Sequence, residues 1–414
     1  MPGNSSIEKL FADIRTDNGA ESGMRDQPPG RNFSEDPVVR TPVVFPGRIL
    51  VFRIGQLGDT IVALPSMWAV KHNFPAAYLA LLYDRHPRKR YVFASELLRG
   101  AGLFDEFLTY PVAAGDAFKA WRMTSLLLTL RRKRFDTLVY LAPSTRSPEQ
   151  VARDRRFFSL AGIRTFLGMV GFVTLPSRVN GQPMAESLAE SDMLLDRLGA
   201  SGLVFSRSDR ARMDLGLGKT EDLEVDSWLQ GLEPFGARPW VAVAPGSKIP
   251  ATRWPLERYA QVVQRLIEKF DVWPVVLGGP EDRPPGDTLL AQWRRGYNAA
   301  GRLSLRASAA ALKRCAFYLG NDTGPMHLAA AVGTKCVAIF SARNPPGKWN
   351  PSGDGHRVLR SQIDCEGCEL LECLERHNEC LARISVPAVA AACEALLSSG
   401  SGTEKFQDGR EAVR

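Results

Sequence analysis

Short, nearly continuous apolar runs alternate with helical stretches along most of this chain, and several of the runs end in a glycine-bearing turn. The first run is Arg48-Ile49-Leu50-Val51-Phe52-Arg53. A run without polar alternation suits a strand buried on both faces, as in a parallel sheet covered by helices. A helical stretch over 60–74 follows, then a strand at 77–83, helices at 91–100 and 116–132, and a strand at 137–141. Residues 206–238 are polar and carry Gly216, Gly218, Gly231, Pro234 and Gly236. The alternation then restarts with a strand at 240–244 and a helix at 255–270, whose Tyr259, Val262, Val263, Leu266, Ile267 and Phe270 form one stripe. A strand at 273–277, a helix at 308–315, a strand at 316–319, a helix at 325–332 and a strand at 335–340 complete the series. Such alternation implies parallel α/β sheets.

At 414 residues the chain exceeds what one hydrophobic core usually organises. Two α/β domains are expected, 46–215 and 239–400, joined by a linker at 216–238. Their cleft is the usual place for a ligand in such sheets. Residues 1–45 show no periodicity and are rich in Gly, Pro, Asn, Asp and Arg. They are read as a disordered extension, and 401–414 as a disordered tail.

Hydrophobic residues make up 44%, in keeping with a soluble globular protein. No run of ~18 apolar residues occurs, and the N-terminus lacks the basic-then-apolar order of a secretion signal. A cytoplasmic protein is expected. The net charge is +8, partly clustered at Arg85, Arg88, Lys89, Arg90, at Arg131–Arg134 and at Arg153, Arg155, Arg156. A basic face can attract an anionic lipid or a membrane surface, so peripheral contact with the cytoplasmic face of an inner membrane fits. The competing reading is solvated helix ends. No nucleic-acid-binding module is visible.

The chemistry-bearing motifs lie at strand-to-helix turns. Arg53-Ile54-Gly55-Gln56-Leu57-Gly58-Asp59-Thr60 joins the first strand to a helix. Gly55 and Gly58 permit a tight turn and close approach to a ligand, but their spacing is not the dinucleotide fingerprint. Position alone favours helix capping for Asp59; facing a cleft, the same carboxylate could take a hydroxyl proton. Leu319-Gly320-Asn321-Asp322-Thr323-Gly324-Pro325-Met326-His327 also ends a strand and opens a helix. Pro325 suits the first helical turn, and the amides of Thr323 and Gly324 would form an anion site fit for a pyrophosphate. His327 either touches a phosphate or packs.

Val243-Ala244-Pro245-Gly246-Ser247-Lys248 leads to Thr252-Arg253-Trp254-Pro255 and offers Lys248 and Arg253 to phosphates, against the reading of a basic surface loop. Leu277-Gly278-Gly279-Pro280-Glu281-Asp282 is a turn at which Gly279 would let a nucleotide approach. Cys315 and Cys336 sit in apolar runs and Cys393 in the last helix. Cys365, Cys368, Cys373 and Cys380, spaced C-x2-C-x4-C-x6-C, leave a structural metal, a disulfide and free thiols open.

In this order the motifs resemble those of glycosyltransferase family 9, the lipopolysaccharide heptosyltransferases. The residues that carry the likeness are 48–65 with the G-x-x-G-D core, PGSK and RWP within 245–255, GGP at 278–280 and GNDTGPMHLAAAVG at 320–333. The likeness spans roughly 47–397, and the cysteine series resembles one found in many members. It implies a GT-B fold, with two Rossmann-like domains whose parallel sheets face a central cleft. The N-terminal domain would take the acceptor and the C-terminal domain an ADP-sugar.

The likeness also implies inverting transfer without a catalytic metal or other cofactor, with Asp59 as general base. Asp322 would meet the donor sugar, Thr323 and Gly324 the pyrophosphate, and His327 matches a frequent histidine. Thr252 stands where several members have a lysine, so Lys248 or Arg253 would supply that charge. The implied partners are a nucleotide-diphosphate sugar such as ADP-heptose and an anionic glycolipid or glycan of the lipopolysaccharide core. A nucleotide-sugar epimerase, which needs no acceptor, and a non-catalytic sugar-nucleotide-binding protein are the competing readings.

Overall fold

A computed structural model of the chain describes residues 47–85, 92–111, 116–179, 182–232 and 236–399. The extension 1–45, the tail 401–414 and the basic residues Arg88, Lys89 and Arg90 lie outside them. The first half contains β1 (Arg48–Arg53), β2 (Tyr78–Arg85), β3 (Glu106–Pro111), β4 (Thr137–Tyr140) and β5 (Thr165–Leu167). These form one parallel sheet in the order β3-β2-β1-β4-β5. The second half contains β6 (Trp240–Ala244), β7 (Trp273–Val276), β8 (Tyr297–Asn298), β9 (Phe317–Asn321), β10 (Cys336–Phe340) and β11 (Arg357–Arg360). Its parallel sheet runs β11-β10-β9-β6-β7-β8. In each sheet the order reverses beside its first strand, between β1 and β4 and between β6 and β9. Open α/β sheets bind ligands at such switch points.

Side chains alternate along each central strand, yet both faces are buried. Ile49 and Val51 of β1 join Trp240 and Ala242 of β6 in one apolar cluster that runs through both halves. Leu50 and Phe52 face a second cluster with Tyr140 and Phe158, and Val241 and Val243 face a third with Trp254 and Tyr259.

The helix expected over 60–74 is two helices, Leu57–Val62 and Leu64–Asn73, parted at Ala63. Pro65 explains the break, because its missing N–H cannot continue the ladder to the preceding turn. The segment 216–238 holds a helix, Lys219–Leu229, which packs on the Leu305–Lys313 helix. Among the described residues no helix is long and apolar enough to cross a membrane.

Arg306 clasps the halves together. Its guanidinium donates to the carbonyls of Leu97, Leu215 and Gly216 at 2.8 Å each and to Glu221 at 2.6 Å. Only 12% of the side chain is exposed, so these charge-assisted bonds are largely screened from water. Arg306→Met should cost about 2–4 kcal/mol in urea unfolding, because three carbonyls and a carboxylate lose their donor; an unchanged urea midpoint would refute the clasp.

Candidate active site

The turns that leave the central strands converge on one cavity of about 440 Å³ between the sheets. The first half contributes Gln56, Leu57 and Gly58 from the turn after β1, with Val92 and Glu96. The second half contributes Gly246–Lys248 after β6, Gly278–Asp282 after β7, Gly301 and Leu303–Leu305 after β8 and Asp322–Pro325 after β9. Leu277, Leu303, Leu312 and Leu328 give it an apolar flank.

Asp59 caps its own helix start. Its Oδ2 accepts the Gln56 amide at 2.8 Å, and its Oδ1 accepts from Arg53 Nη2 at 3.2 Å. Arg53 is 1% exposed and is braced by donation from Nη1 to the carbonyl of Leu141, just past β4. The β1/β4 switch point is therefore spanned by an arginine that holds the aspartate. The Asp59 side chain keeps 23% of its surface exposed. Its neighbours Gln56–Gly58 line the cavity, while Asp59 itself stands just behind that wall. Gly55, at φ +129°, leaves no room for a Cβ, which would lie 2.6 Å from Asp59. The Gly55 amide donates to Asp84 at 2.8 Å. Burial pushes the Asp84 carboxyl up, and the charge of Asp59 adds to the rise. Asp84 and Arg53 were not singled out in the sequence, although their place at the C-terminal ends of adjacent strands follows once the β1–β2 register is known.

Across the cavity, Thr323 is the N-cap of the helix Gly324–Ala331. The first amides of a helix have no intrahelical acceptor, and at Thr323 and Gly324 they belong to the cavity wall. The helix Leu57–Val62 packs directly on this one. A Cβ at Gly324 would lie 2.9 Å from Leu57, and one at Gly58 would lie 2.9 Å from the ring of His327. Both glycines thus serve a close helix–helix contact. His327 is 3% exposed, meets Trp349 edge-on at 6.2 Å, and has no partner for Nδ1. Burial lowers its pKa to about 4, so the ring is neutral at physiological pH. It is in the domain contact rather than in the cavity wall.

Asn321, fully buried, ties the second-half motifs together. Its Oδ1 accepts from the Trp254 amide at 3.0 Å and the Tyr259 hydroxyl at 2.8 Å, and its Nδ2 donates to the carbonyl of Pro245 at 2.7 Å. Thr252 is buried and bonds Ser247 Oγ at 2.7 Å. Arg253 is exposed and spends its Nε on the Ser247 carbonyl at 2.7 Å. Of the two candidate cations, Lys248 lines the cavity and Arg253 does not. Gly279 lines it as well, and its amide donates to Asp282 at 2.8 Å. A Cβ at Gly246 would strike Asp282 at 1.7 Å, so the Gly246 turn is shaped around that carboxylate. Burial pushes the Asp282 carboxyl up, opposed by the Gly279 bond and by Arg253 and Lys248.

The four C-terminal cysteines are free; burial raises the Cys380 thiol, and the neighbouring Cys365 and Cys373 add to the rise. Among the described residues no group of three or more His, Cys, Asp or Glu could hold a metal ion, so the structural metal at Cys365, Cys368, Cys373 and Cys380 finds no support.

The glycosyltransferase family 9 (heptosyltransferase) model matches residues 210–378, the stretch that holds every second-half turn of the cavity up to Pro325. Residues 210–378 are a glycosyltransferase family 9 domain. The lipooligosaccharide heptosyltransferase 2 of Haemophilus influenzae is 32% identical over 118 residues, 27% of this chain and 34% of that protein. The lipopolysaccharide heptosyltransferase 2 of Salmonella typhimurium is 33% identical over 117 residues, 26% of this chain and 32% of that protein. The chain thus spans about a third of the length of these curated relatives.

Similarity of fold extends further. A family 9 glycosyl transferase from Veillonella parvula superimposes with a TM-score of 0.64 at 20% identity, covering 85% of this chain and 97% of that one. The E. coli ADP-heptose lps heptosyltransferase II gives 0.59 at 21%, covering 85% and 99%. The architecture is GT-B, two Rossmann-like domains around a cleft, with the family 9 domain as the second.

Within that domain Asp322 is half-buried, and burial pushes its carboxyl up to about 7 against the pull of Arg343 and Arg360. The folded chain therefore keeps a proton that the unfolded chain releases near 3.8. The stability this carboxyl contributes is complete below about pH 4 and is lost as pH rises through 7. Asp322→Asn should flatten the fall in urea midpoint between about pH 4 and 7, a difference of a few kcal/mol in the parent protein; an equally steep fall in the variant would contradict it. Gly58→Ala should destabilise the fold by about 1–3 kcal/mol through overpacking on His327, and His327→Ala in the same chain should return most of that loss.

Proposed function

We propose that the protein is an inverting glycosyltransferase that moves a sugar from a nucleoside diphosphate onto a hydroxyl of a glycan acceptor. The observation that carries this reading is the shared cavity, where the turn preceding Asp59 faces the helix start at Thr323–Gly324 with Lys248 alongside. A diphosphate seated on those amides would be held by helix-end partial charge and by the Lys248 ammonium. The apolar flank of Leu277, Leu303, Leu312 and Leu328 suits a flat base, and the carboxylates of Glu281 and Asp282 suit ribose hydroxyls.

The reaction is a single displacement. Asp59 accepts the acceptor hydroxyl's proton, the oxygen attacks the anomeric carbon opposite the nucleotide, and the glycosidic oxygen departs with the diphosphate. Charge growing on that leaving group meets donors already in place, the largest usual source of stabilisation for such a step. Asp322, beside the amides, is assigned to the donor sugar. No step is assigned to a metal or a cofactor.

The relatives named as lipopolysaccharide and ADP-heptose lps heptosyltransferases support ADP-heptose as donor and an anionic lipopolysaccharide-core glycolipid as acceptor. The basic residues of the first half fit an anionic acceptor at a membrane surface, with the enzyme working from the cytoplasm. An epimerase would leave the two-sided cleft without an acceptor to use it.

A thermal-shift panel tests the donor: ADP-heptose should raise the melting temperature more than GDP- or UDP-sugars, and a preference for another nucleotide would replace it. Asp59→Asn should lower kcat by at least about a thousandfold with ADP affinity within twofold of the parent. Equal loss of turnover and of nucleotide binding would assign Asp59 to structure instead. Lys248→Met should weaken ADP binding about tenfold, since one charge-assisted phosphate contact is worth roughly 1.5 kcal/mol or more.

A further inference from the structure

Two helices cover the Leu50/Phe52 face of the first sheet, opposite the Ile49/Val51 face whose cluster joins the two halves. Met123, Leu126 and Leu130 of the helix Asp116–Lys133 are buried there, as are Phe157 and Phe158 of the helix Pro148–Leu160. The outer side of the first helix would ordinarily be polar. Instead, at 3.6 residues per turn, Trp121, Ser125, Leu128 and Arg132 form one exposed line along it, on the side away from Met123, Leu126 and Leu130. Trp121 is 65% exposed and Leu128 46%. The second helix touches the first and adds Leu160, 48% exposed, with exposed Arg156 one turn before it. A single exposed apolar residue is ordinary, but a tryptophan and two leucines on adjacent helices make a patch.

The charge around the patch has one sign. Residues 117–134 contain no Asp or Glu, and exposed Arg131, Arg132 and Arg134 close the segment. Lys133 between them is bound to Glu106 at 2.5 Å. On the second helix Asp154 is turned inward, 5% exposed, where it accepts the Tyr140 hydroxyl at 2.7 Å, while Arg155 and Arg156 next to it are exposed. Among the described residues of the two helices, the exposed acid is Glu149, at the start of the second. Tryptophan settles at the headgroup level of a bilayer, leucine at the acyl boundary and arginine on lipid phosphates. A single-stranded nucleic acid would ask for several stacking faces along a groove, whereas this patch has one tryptophan on an outer helix surface.

We propose that the outer face of the helix Asp116–Lys133, continued by Arg156 and Leu160, docks on an anionic lipid bilayer. This rests on the reading of the acceptor as membrane-borne and adds the surface that meets the membrane. The helix begins at the sheet edge where β3 ends, the edge that also carries the turn before Asp59, so Trp121 lies at the cavity end of the patch and the arginines at the other. Docking on this face leaves the contact between the two domains untouched.

Co-sedimentation of the full chain with vesicles tests it, without nucleotide, sugar or acceptor. Phosphatidylcholine vesicles containing phosphatidylglycerol should bind the protein, pure phosphatidylcholine at least about tenfold more weakly, and rising salt should release it. Trp121→Ser/Leu128→Ser and Arg131→Gln/Arg132→Gln/Arg156→Gln should each weaken binding at least about tenfold, with the urea midpoint and ADP affinity unchanged. Both variants should raise KM for a vesicle-borne glycolipid acceptor but not for the same glycan freed of its acyl chains. Binding that is absent, indifferent to lipid charge or unaltered in both variants would overturn the proposal. So would tighter binding to a single-stranded oligonucleotide than to the vesicles, or a parent dimer that the Trp121→Ser/Leu128→Ser variant turns into monomer. A chain that binds vesicles but transfers no sugar sinks the transferase reading and leaves the docking face standing; a chain that transfers sugar to the freed glycan but ignores vesicles does the reverse.

Discussion

Gly58 lies against His327, and Gly324 against Leu57, at distances no Cβ would allow. This pair of contacts brings two helix starts from different sheets to one place, and the other features of the site follow from it. The helix Leu57–Val62 begins at the switch point of the first sheet, and Gly324–Ala331 begins beside that of the second. With the helices in contact, the turn before Asp59 and the amides before Pro325 become opposite walls of a single cavity. A methyl group at either glycine would push the walls apart, because packed interiors transmit rather than absorb such volume.

The electrostatics follow the same geometry. The second domain offers a helix start and Lys248 to an anion, yet it also sets Asp282 and Asp322 at the cavity, both with carboxyls shifted upward by burial. Raised values of this kind reduce the negative charge that a diphosphate would meet there. The first domain holds Asp59 by Arg53, which is itself anchored on Leu141 across the sheet's switch point. Asp59 and the helix start at Thr323–Gly324 are thus on different domains, and their spacing is governed by the interface, by the Arg306 clasp and by the strap at 346–349, whose Pro346 and Lys348 carbonyls accept the Ser187 and Glu190 amides.

Much of the architecture was legible in the chain. The buried central strands β1, β4, β6, β7, β9 and β10 appear as continuous apolar runs, because strands covered on both faces leave no polar alternation to confuse the reading. Edge strands were not seen. β3 is only half-buried, β8 has two residues, and β11 exposes Arg357 and Val358, so none carries a run long or apolar enough to stand out. The helix Pro148–Leu160 was passed over, although Ser147-Pro148-Glu149-Gln150 spells a capped helix start, and the Ser147 side chain does accept the Gln150 amide. At the site, Gly58, Gly279, Lys248 and Asp322–Gly324 were named and line the cavity. Gly55, Asp59, Arg253 and His327 were named with them and lie outside its wall, since spacing along the chain does not say which way a side chain turns.

The sequence by itself determined two parallel α/β sheets, the strand-to-helix turns that carry the chemistry, and the kinship with family 9, because burial pattern and glycine placement are local properties. Tertiary structure alone decided which residues share a cavity, that Asn321 binds the Trp254 and Pro245 loops together, and that Arg53, anchored on Leu141, holds Asp59. Those outcomes depend on contacts between segments from tens to nearly 300 positions apart, where packing and desolvation, not local preference, set the energy.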